Sequence, residues 1–158
     1  MTKGTIPQNY HTLSPHIIVR DAKKAIHFYT TVFEATELER RIGPDGKMII
    51  YAALQIGDSR LMISEEFPGN PASANPLPNA VPPITIHFWT TDVDAIIARA
   101  KDQGAVILME PSIQFWGDYY GMFIDPFHHR WSIATRIQTL TSEEIDAAAA
   151  KAFSSMKK

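Results

Sequence analysis

The sequence predicts an α+β fold in which two β-α-β-β-β modules form a curved mixed sheet around a cleft, followed by a C-terminal helix. Two observations carry this prediction. A short apolar run that begins at His16 and ends before Asp21 recurs 71 residues later with His87 and Asp92, and each Asp precedes a segment of helical period. Residues 66–83, between the two copies, contain six of the eleven prolines and predict a linker. Because duplicated modules place equivalent residues on equivalent strands, His16 and His87 are predicted to face the shared cleft.

Module one covers residues 13–65. Asp21 is placed to cap a helix whose apolar residues recur at helical spacing. Gly43-Pro44-Asp45-Gly46 and Gly57-Asp58 are typical of tight turns between strands. The predicted elements are a strand over 13–19, a helix over 22–33 and strands over 36–42, 48–55 and 60–64.

Module two covers residues 84–137 and repeats the same order of elements. Asp92 is the predicted helix cap, and Gly104 is the predicted glycine at the helix end. Thr141 and Glu144 have the spacing of a capping box, which predicts a C-terminal helix over 141–153. The other predicted elements are strands over 84–90, 105–110, 119–125 and 129–136. We expect the two modules, the linker and the last helix to form one domain over residues 1–158.

Composition narrows the classes of function. The net charge of −2 offers no broad basic surface, so we expect no nucleic-acid partner. The polar N-terminal segment and the lack of any long apolar run predict neither a secretory signal nor a membrane anchor. With no cysteine, disulfides and thiolate chemistry are excluded. These features predict a cytoplasmic protein.

Four segments carry a family resemblance: Val19-Arg20-Asp21-Ala22-Lys23-Lys24-Ala25-Ile26-His27-Phe28-Tyr29, Asp92-Val93-Asp94-Ala95, Gln114-Phe115-Trp116-Gly117-Asp118-Tyr119-Tyr120-Gly121 and Asp125-Pro126-Phe127-His128-His129-Arg130-Trp131-Ser132. They resemble the vicinal oxygen chelate (glyoxalase/bleomycin resistance/dioxygenase) superfamily, and its PhnB-like branch most closely. The resemblance covers roughly residues 13–137. Glu34 and His128 depart from it, because they stand where this family usually has glycine, and a non-glycine residue holds a positive φ there only at some cost.

The resemblance implies four positions at which enzymes of the superfamily hold a divalent cation. In this chain they are Ser14, Met62, Thr85 and Ser132. None of these residues is a good ligand for Zn²⁺, Mn²⁺ or Fe²⁺, so we expect no metal and no cofactor. His16 and His87 lie two residues beyond Ser14 and Thr85, on the same strand faces and about 6–7 Å away. A displaced His16/His87 metal site therefore stays open as an alternative.

The predicted function is metal-independent binding of a small aromatic or amphipathic molecule, whose identity the sequence does not reveal. Aromatic rings suit a flat or apolar ligand, and an arginine suits an acidic group. For Arg130 and the repeat-related Arg60, pairing with Asp125 and Asp58 is the alternative. The predicted pocket residues are His16, His87, Trp89, Gln114, Trp116, Tyr119 and Arg130.

Two other functions stay open. One is an enzyme of lyase, isomerase or dioxygenase type that uses His16 and His87 as displaced metal ligands or as acid–base groups. The other is a role in assembly or regulation, suggested by the extra C-terminal helix. The resemblance also implies a homodimer, because the superfamily often builds its cleft at or near a subunit interface.

Overall fold

The chain runs through the order β, α, β, β, β twice and ends in a helix, which confirms the predicted α+β class. The computed structural model describes residues 4–78 and 80–155. Residues 1–3, 79 and 156–158, which fall within the predicted domain, lie outside this description. The chain divides into unit 1, Met1–Pro83 with Pro126–His129, and unit 2, Ile84–Asp125 with Arg130–Lys158.

Unit 1 contains a four-stranded mixed sheet in the order β1-β4-β3-β2, with β1 parallel to β4 and the other pairs antiparallel. The first strand is shorter than predicted. Ser14 donates its hydroxyl to the His11 carbonyl, and the carbonyl of Pro15 makes the first bond to β4. The predicted linker contains one short 3₁₀ turn, Pro71–Ser73. The elements of unit 1 are β1 (His16–Val19), α1 (Ala22–Val32), β2 (Thr36–Ile42), β3 (Ile49–Ile56) and β4 (Ser59–Glu65).

Helix α1 begins as the sequence predicts. The Asp21 carboxylate accepts from the Lys24 amide at 2.9 Å, and the buried apolar face of α1 includes Tyr29 and Val32. Glu65 has a structural role that the sequence does not reveal, since its carboxylate accepts from the amides of Ala22 and Ile49 at 3.0 and 3.1 Å. It therefore ties the start of α1 to the start of β3.

Unit 2 contains the second four-stranded mixed sheet, in the order β5-β8-β7-β6, with β5 parallel to β8. Helix α2 packs on this sheet. A Cβ at Gly121 would lie 3.2 Å from the Ile97 Cδ1 of α2, which places Gly121 on the helix side of β7. The elements of unit 2 are β5 (Thr85–Trp89), α2 (Val93–Asp102), β6 (Val106–Ile113), β7 (Asp118–Ile124), β8 (Arg130–Arg136) and α3 (Ser142–Ser155).

The predicted helix ends of unit 2 are confirmed. Asp92 accepts from the Ala95 amide at 3.0 Å, and Gly104 follows α2 with a φ of +88°. At the start of α3, the Thr141 hydroxyl accepts from the Glu144 amide while the Glu144 carboxylate accepts from the Thr141 amide. Of the helices in the described ranges, none has the length and apolar character needed to cross a membrane.

Glu34 and His128, which stand where the family usually has glycine, both have a positive φ. Glu34 has a φ of +56° and His128 a φ of +69°. Both values lie in the left-handed region, which costs a non-glycine residue conformational energy. His129, the next residue, has its Nε2 3.0 Å from the Ile18 carbonyl within unit 1.

Candidate functional site

Four of the seven predicted pocket residues lie on one face of the unit 2 sheet: His87, Trp89, Trp116 and Arg130. Successive strand residues alternate between the two faces of a sheet, and the register of β5, β8 and β7 decides which residues are neighbours. His87 lies opposite Ser132, while Trp89 and Tyr120 lie on either side of Ala134. Because Ala134 has only a methyl side chain, the larger rings of the flanking strands extend over it. The opposite face of the sheet carries Gly121 and packs against α2.

Four rings form what we call the aromatic face: His87, Trp89, Trp116 and Tyr120. The His87 ring lies 4.6 Å from the Trp89 ring, nearly perpendicular to it, and stacks with Tyr120 at 6.1 Å. Trp116, from the turn between β6 and β7, meets Tyr120 edge-on at 5.6 Å. Trp89 is 54% exposed. An exposed tryptophan held by neighbouring rings is a suitable surface for stacking a flat ligand.

His87 is anchored by one ring nitrogen. Its Nδ1 lies 2.7 Å from the Ser132 hydroxyl, while its Nε2 has no hydrogen-bond partner among the described residues. Loss of hydration lowers the pKa of His87 below its ordinary 6.5, and the negative charge of Asp118 partly opposes that shift. The imidazole is therefore neutral at pH 7. Ser132 is only 2% exposed, so its hydroxyl orients the imidazole and is not accessible as a nucleophile.

An ion pair closes one end of the aromatic face. Asp118 begins β7 and lies opposite Arg136 at the end of β8, and the two side chains are hydrogen-bonded. Asp118 is buried, whereas Arg136 is half exposed and its guanidinium lies 5.7 Å from the centre of the Trp89 ring. The pair thus compensates a buried carboxylate and places a cation against Trp89.

Arg130 lies at the opposite end of the same face. Its Nε donates to the Thr85 hydroxyl at 2.6 Å. The structure does not show the alternative pairing with Asp125: among the described residues the hydrogen-bond partner of Arg130 is Thr85, while the Asp125 carboxylate accepts from the Trp131 indole N–H at 2.9 Å. Arg60 in unit 1 likewise makes no ion pair with Asp58; its guanidinium lies 5.3 Å from the centre of the Tyr10 ring.

Two predicted pocket residues have other contacts. Tyr119 is on the helix side of β7, where its hydroxyl donates to Asp94 at 2.8 Å, so grouping it with His87 is wrong. The next residue, Tyr120, lies on the aromatic face instead. Gln114 donates to the Ser112 hydroxyl at 2.8 Å and so holds the turn between β6 and β7.

His16 belongs to unit 1, where its Nε2 lies 2.8 Å from the Ser64 hydroxyl. On the neighbouring strand β3, just beyond the Ala52–Ile63 pair and so level with Ser64, the Tyr51 hydroxyl lies 2.9 Å from that of Tyr10. Burial, together with the Tyr10 hydrogen bond, raises the pKa of Tyr51 to about 12. Tyr51 is therefore a neutral hydrogen-bonding group at physiological pH. Sequence reasoning missed this tyrosine pair, because its members lie 41 residues apart.

The metal site that the resemblance implies does not fit these residues. In unit 2, Thr85 accepts from the Arg130 guanidinium and Ser132 is bonded to His87. In unit 1, the Ser14 hydroxyl donates to a carbonyl, and Met62 offers only a thioether. Hard or borderline divalent cations prefer carboxylate and imidazole ligands, and a fixed guanidinium at Thr85 would repel them. The described residues include no group of three or more His, Asp or Glu placed to hold a metal ion.

Two successive β-α-β-β-β units, each built on a four-stranded mixed sheet, define the fold class of the vicinal oxygen chelate proteins. The model of the Glyoxalase/Bleomycin resistance protein/Dioxygenase superfamily matches residues 10–133, and the chain belongs to this superfamily.

The similar proteins differ in what is known of them. Rv0887c, an uncharacterized protein of Mycobacterium tuberculosis, is 42% identical over 138 residues, 86% of this chain and 81% of that protein. The PhnB protein of Bacillus cereus has a TM-score of 0.64 at 13% identity, over 79% of this chain and 99% of its own. The fosfomycin resistance protein FosX of Listeria monocytogenes, in a complex with Mn(II) and a dihydroxypropylphosphonic acid, has a TM-score of 0.59 at 19% identity, over 84% of this chain and 91% of its own. At these identities the two structures show the shared fold alone.

Proposed function

We propose that this protein binds a small aromatic or amphipathic molecule without a metal ion, by stacking it on the aromatic face. The observation that carries the proposal is a row of contacting rings with an open surface. The His87 ring contacts both Trp89 and Tyr120, and Trp89 is nevertheless 54% exposed. Aromatic rings offer a large apolar surface with little conformational entropy to lose, and the Nε2 of His87 can orient a polar ligand group.

Metal independence rests on the chemistry of the four implied ligand positions. None of them carries an imidazole or a carboxylate, and in unit 2 the Thr85 hydroxyl is occupied by a cation. We therefore expect the purified protein to contain less than stoichiometric Mn, Fe, Ni and Zn. Ligand affinity is expected to stay the same with and without these ions.

The test is a binding titration with N-phenyl-1-naphthylamine, a neutral aromatic probe whose fluorescence rises in apolar surroundings. Trp89→Ala is expected to weaken binding about tenfold, because it removes stacking and apolar contact area. Phe67→Ala is the matched control, since Phe67 is a comparably exposed aromatic residue of unit 1. Equal affinities of the wild type and Trp89→Ala, or binding that requires a stoichiometric metal, would contradict the proposal.

One observation favours an acid–base enzyme as the second candidate. His87 is neutral at pH 7, is oriented through Nδ1 and has its Nε2 available to accept a proton. An isomerase, lyase or dioxygenase-type enzyme could use it as a general base. His87→Gln is expected to abolish turnover of any substrate found by screening. Unchanged turnover in this variant would remove the candidate.

The homodimer and the cytoplasmic location remain predictions. Light scattering of the purified chain should give twice the monomer mass of 17.7 kDa. A mass equal to the monomer would contradict the homodimer. A fluorescently tagged chain tests the location.

A further inference from the structure

Arg130 is a half-buried cation whose only polar partner among the described residues is a neutral hydroxyl. Its Nε donates to Thr85 at 2.6 Å, and it forms no ion pair with a described carboxylate. No nitrogen of Arg130 is among the buried atoms without a hydrogen-bond partner in the described part of the chain, so its terminal nitrogens are open to solvent or to a ligand. A bound acid would supply the counterion that partly buried arginines usually have.

The acids of unit 2 nearest to this position are already engaged. Asp125 accepts from the Trp131 indole, and Asp118 pairs with Arg136. Arg136 is six residues along β8 from Arg130, about 20 Å away in a strand. The hydrogen bond to Thr85 uses only Nε, so the two terminal nitrogens of the guanidinium remain. These nitrogens form the planar fork that binds a carboxylate or sulfonate through two parallel hydrogen bonds.

Arg130 lies on the same face of the sheet as the aromatic rings, a short distance along β8. Arg130 and Ser132 are two residues apart on the same side of β8, about 7 Å along the strand, and Ser132 holds the His87 ring. An acidic group at Arg130 can therefore belong to the same small molecule as a ring lying against His87 and Trp89. Along β8, the level of His87 lies about 7 Å and that of Trp89 about 13 Å from Arg130, which is the span that such a ligand would bridge.

We propose that Arg130 binds the acidic group of an aromatic ligand, so that the preferred ligands are aromatic acids rather than neutral or cationic aromatics. This inference rests on the proposed function, because it assumes that the ring occupies the aromatic face. It adds the chemical class of the ligand and the residue that selects it.

The experiment compares two probes that share an aryl-aminonaphthalene body. 8-Anilinonaphthalene-1-sulfonate carries an acidic group, and N-phenyl-1-naphthylamine carries none. Arg130→Met is expected to weaken binding of the sulfonate about tenfold or more, since it removes hydrogen bonds to a charged group. Binding of the neutral probe should change less than twofold. Arg41→Met is the matched control, because Arg41 is an exposed arginine of unit 1 and the variant makes the same change of charge.

Arg130→Lys keeps the charge and removes the planar fork, which covers the case in which Arg130→Met fails to fold. It should weaken sulfonate binding at least threefold and leave the neutral probe within twofold. Equal effects on both probes, no effect on either probe, or a wild type that binds only the neutral probe would overturn the role of Arg130 and leave the proposed function standing. A wild type that binds neither probe, or whose binding is insensitive to Trp89→Ala, would instead remove the proposed function itself.

Discussion

Gly117 is the residue on which the turn beside the aromatic face depends. It has a φ of +95°, and a Cβ added there would lie 2.4 Å from the backbone oxygen of Gln138. Its own carbonyl accepts from the amides of Ile137 and Gln138 at 3.1 and 2.9 Å. Gly117→Ala therefore both strains the backbone and forces apart two segments that are hydrogen-bonded to each other.

The magnitude follows from separating these two effects. Gly46 also has a positive φ, +69°, but a Cβ there would meet no described atom within 4 Å. Gly46→Ala should thus show the conformational cost alone, about 1 kcal/mol of unfolding free energy. At Gly117 the Gln138 carbonyl must move by at least about 0.6 Å for the contact to reach 3.0 Å, which disturbs the two hydrogen bonds. With that loss added, Gly117→Ala should cost about 3 kcal/mol.

The assay is urea unfolding of the wild type and both variants, followed in parallel by tryptophan fluorescence and far-UV circular dichroism. Coincident transitions by the two probes justify comparing free energies. Because Trp116 immediately precedes Gly117, Gly117→Ala should also weaken N-phenyl-1-naphthylamine binding, whereas Gly46→Ala should not. If the two variants are destabilised equally, within about 0.5 kcal/mol, the steric argument at Gly117 is refuted.

Two further predictions concern His87 and the start of α3. The folded-state pKa of His87 lies below its unfolded value of 6.5, so the unfolded chain takes up a proton first as the pH falls. Stability should therefore decrease as the pH falls below about 6.5, and His87→Gln should reduce this dependence in urea titrations at pH 7.5, 6.5 and 5.5; an unchanged slope would contradict the shift. Thr141→Ala removes the capping hydroxyl of α3 and should cost about 1 kcal/mol of local stability, which corresponds to roughly fivefold faster amide exchange in α3. Exchange of the β8 amides is the internal reference, and equal acceleration in α3 and β8 would indicate global destabilisation instead of loss of the cap.

The features predicted correctly from sequence are mostly local. Asp21 and Asp92 cap their helices through amides three residues away, and Gly104 ends α2 through its own φ. Such contacts are set by residues within one helical turn, so the sequence pattern contains them directly. The positive φ of Glu34 also agrees with the resemblance, which has a glycine at that position.

The errors and omissions concern contacts between residues that are distant in the chain. Tyr119 and Tyr120 are adjacent and chemically identical, and only the register of β7 against β8, with α2 on one side, places Tyr120 beside His87. The bond between Arg130 and Thr85 joins residues 45 apart and depends on the parallel pairing of β5 with β8. A shift of register by one residue would reverse every one of these assignments.

The sequence by itself determined the repeated order of strands and helices, the residues that cap the helices, and the absence of metal-binding side chains at Ser14, Met62, Thr85 and Ser132. These features follow from residue types at fixed spacing. The tertiary structure alone decided which aromatic residues share a face and that Arg130 lacks an acidic partner among the described residues. Faces and ion pairs depend on strand register and on side chains brought together from distant parts of the chain, and neither is encoded within any one segment.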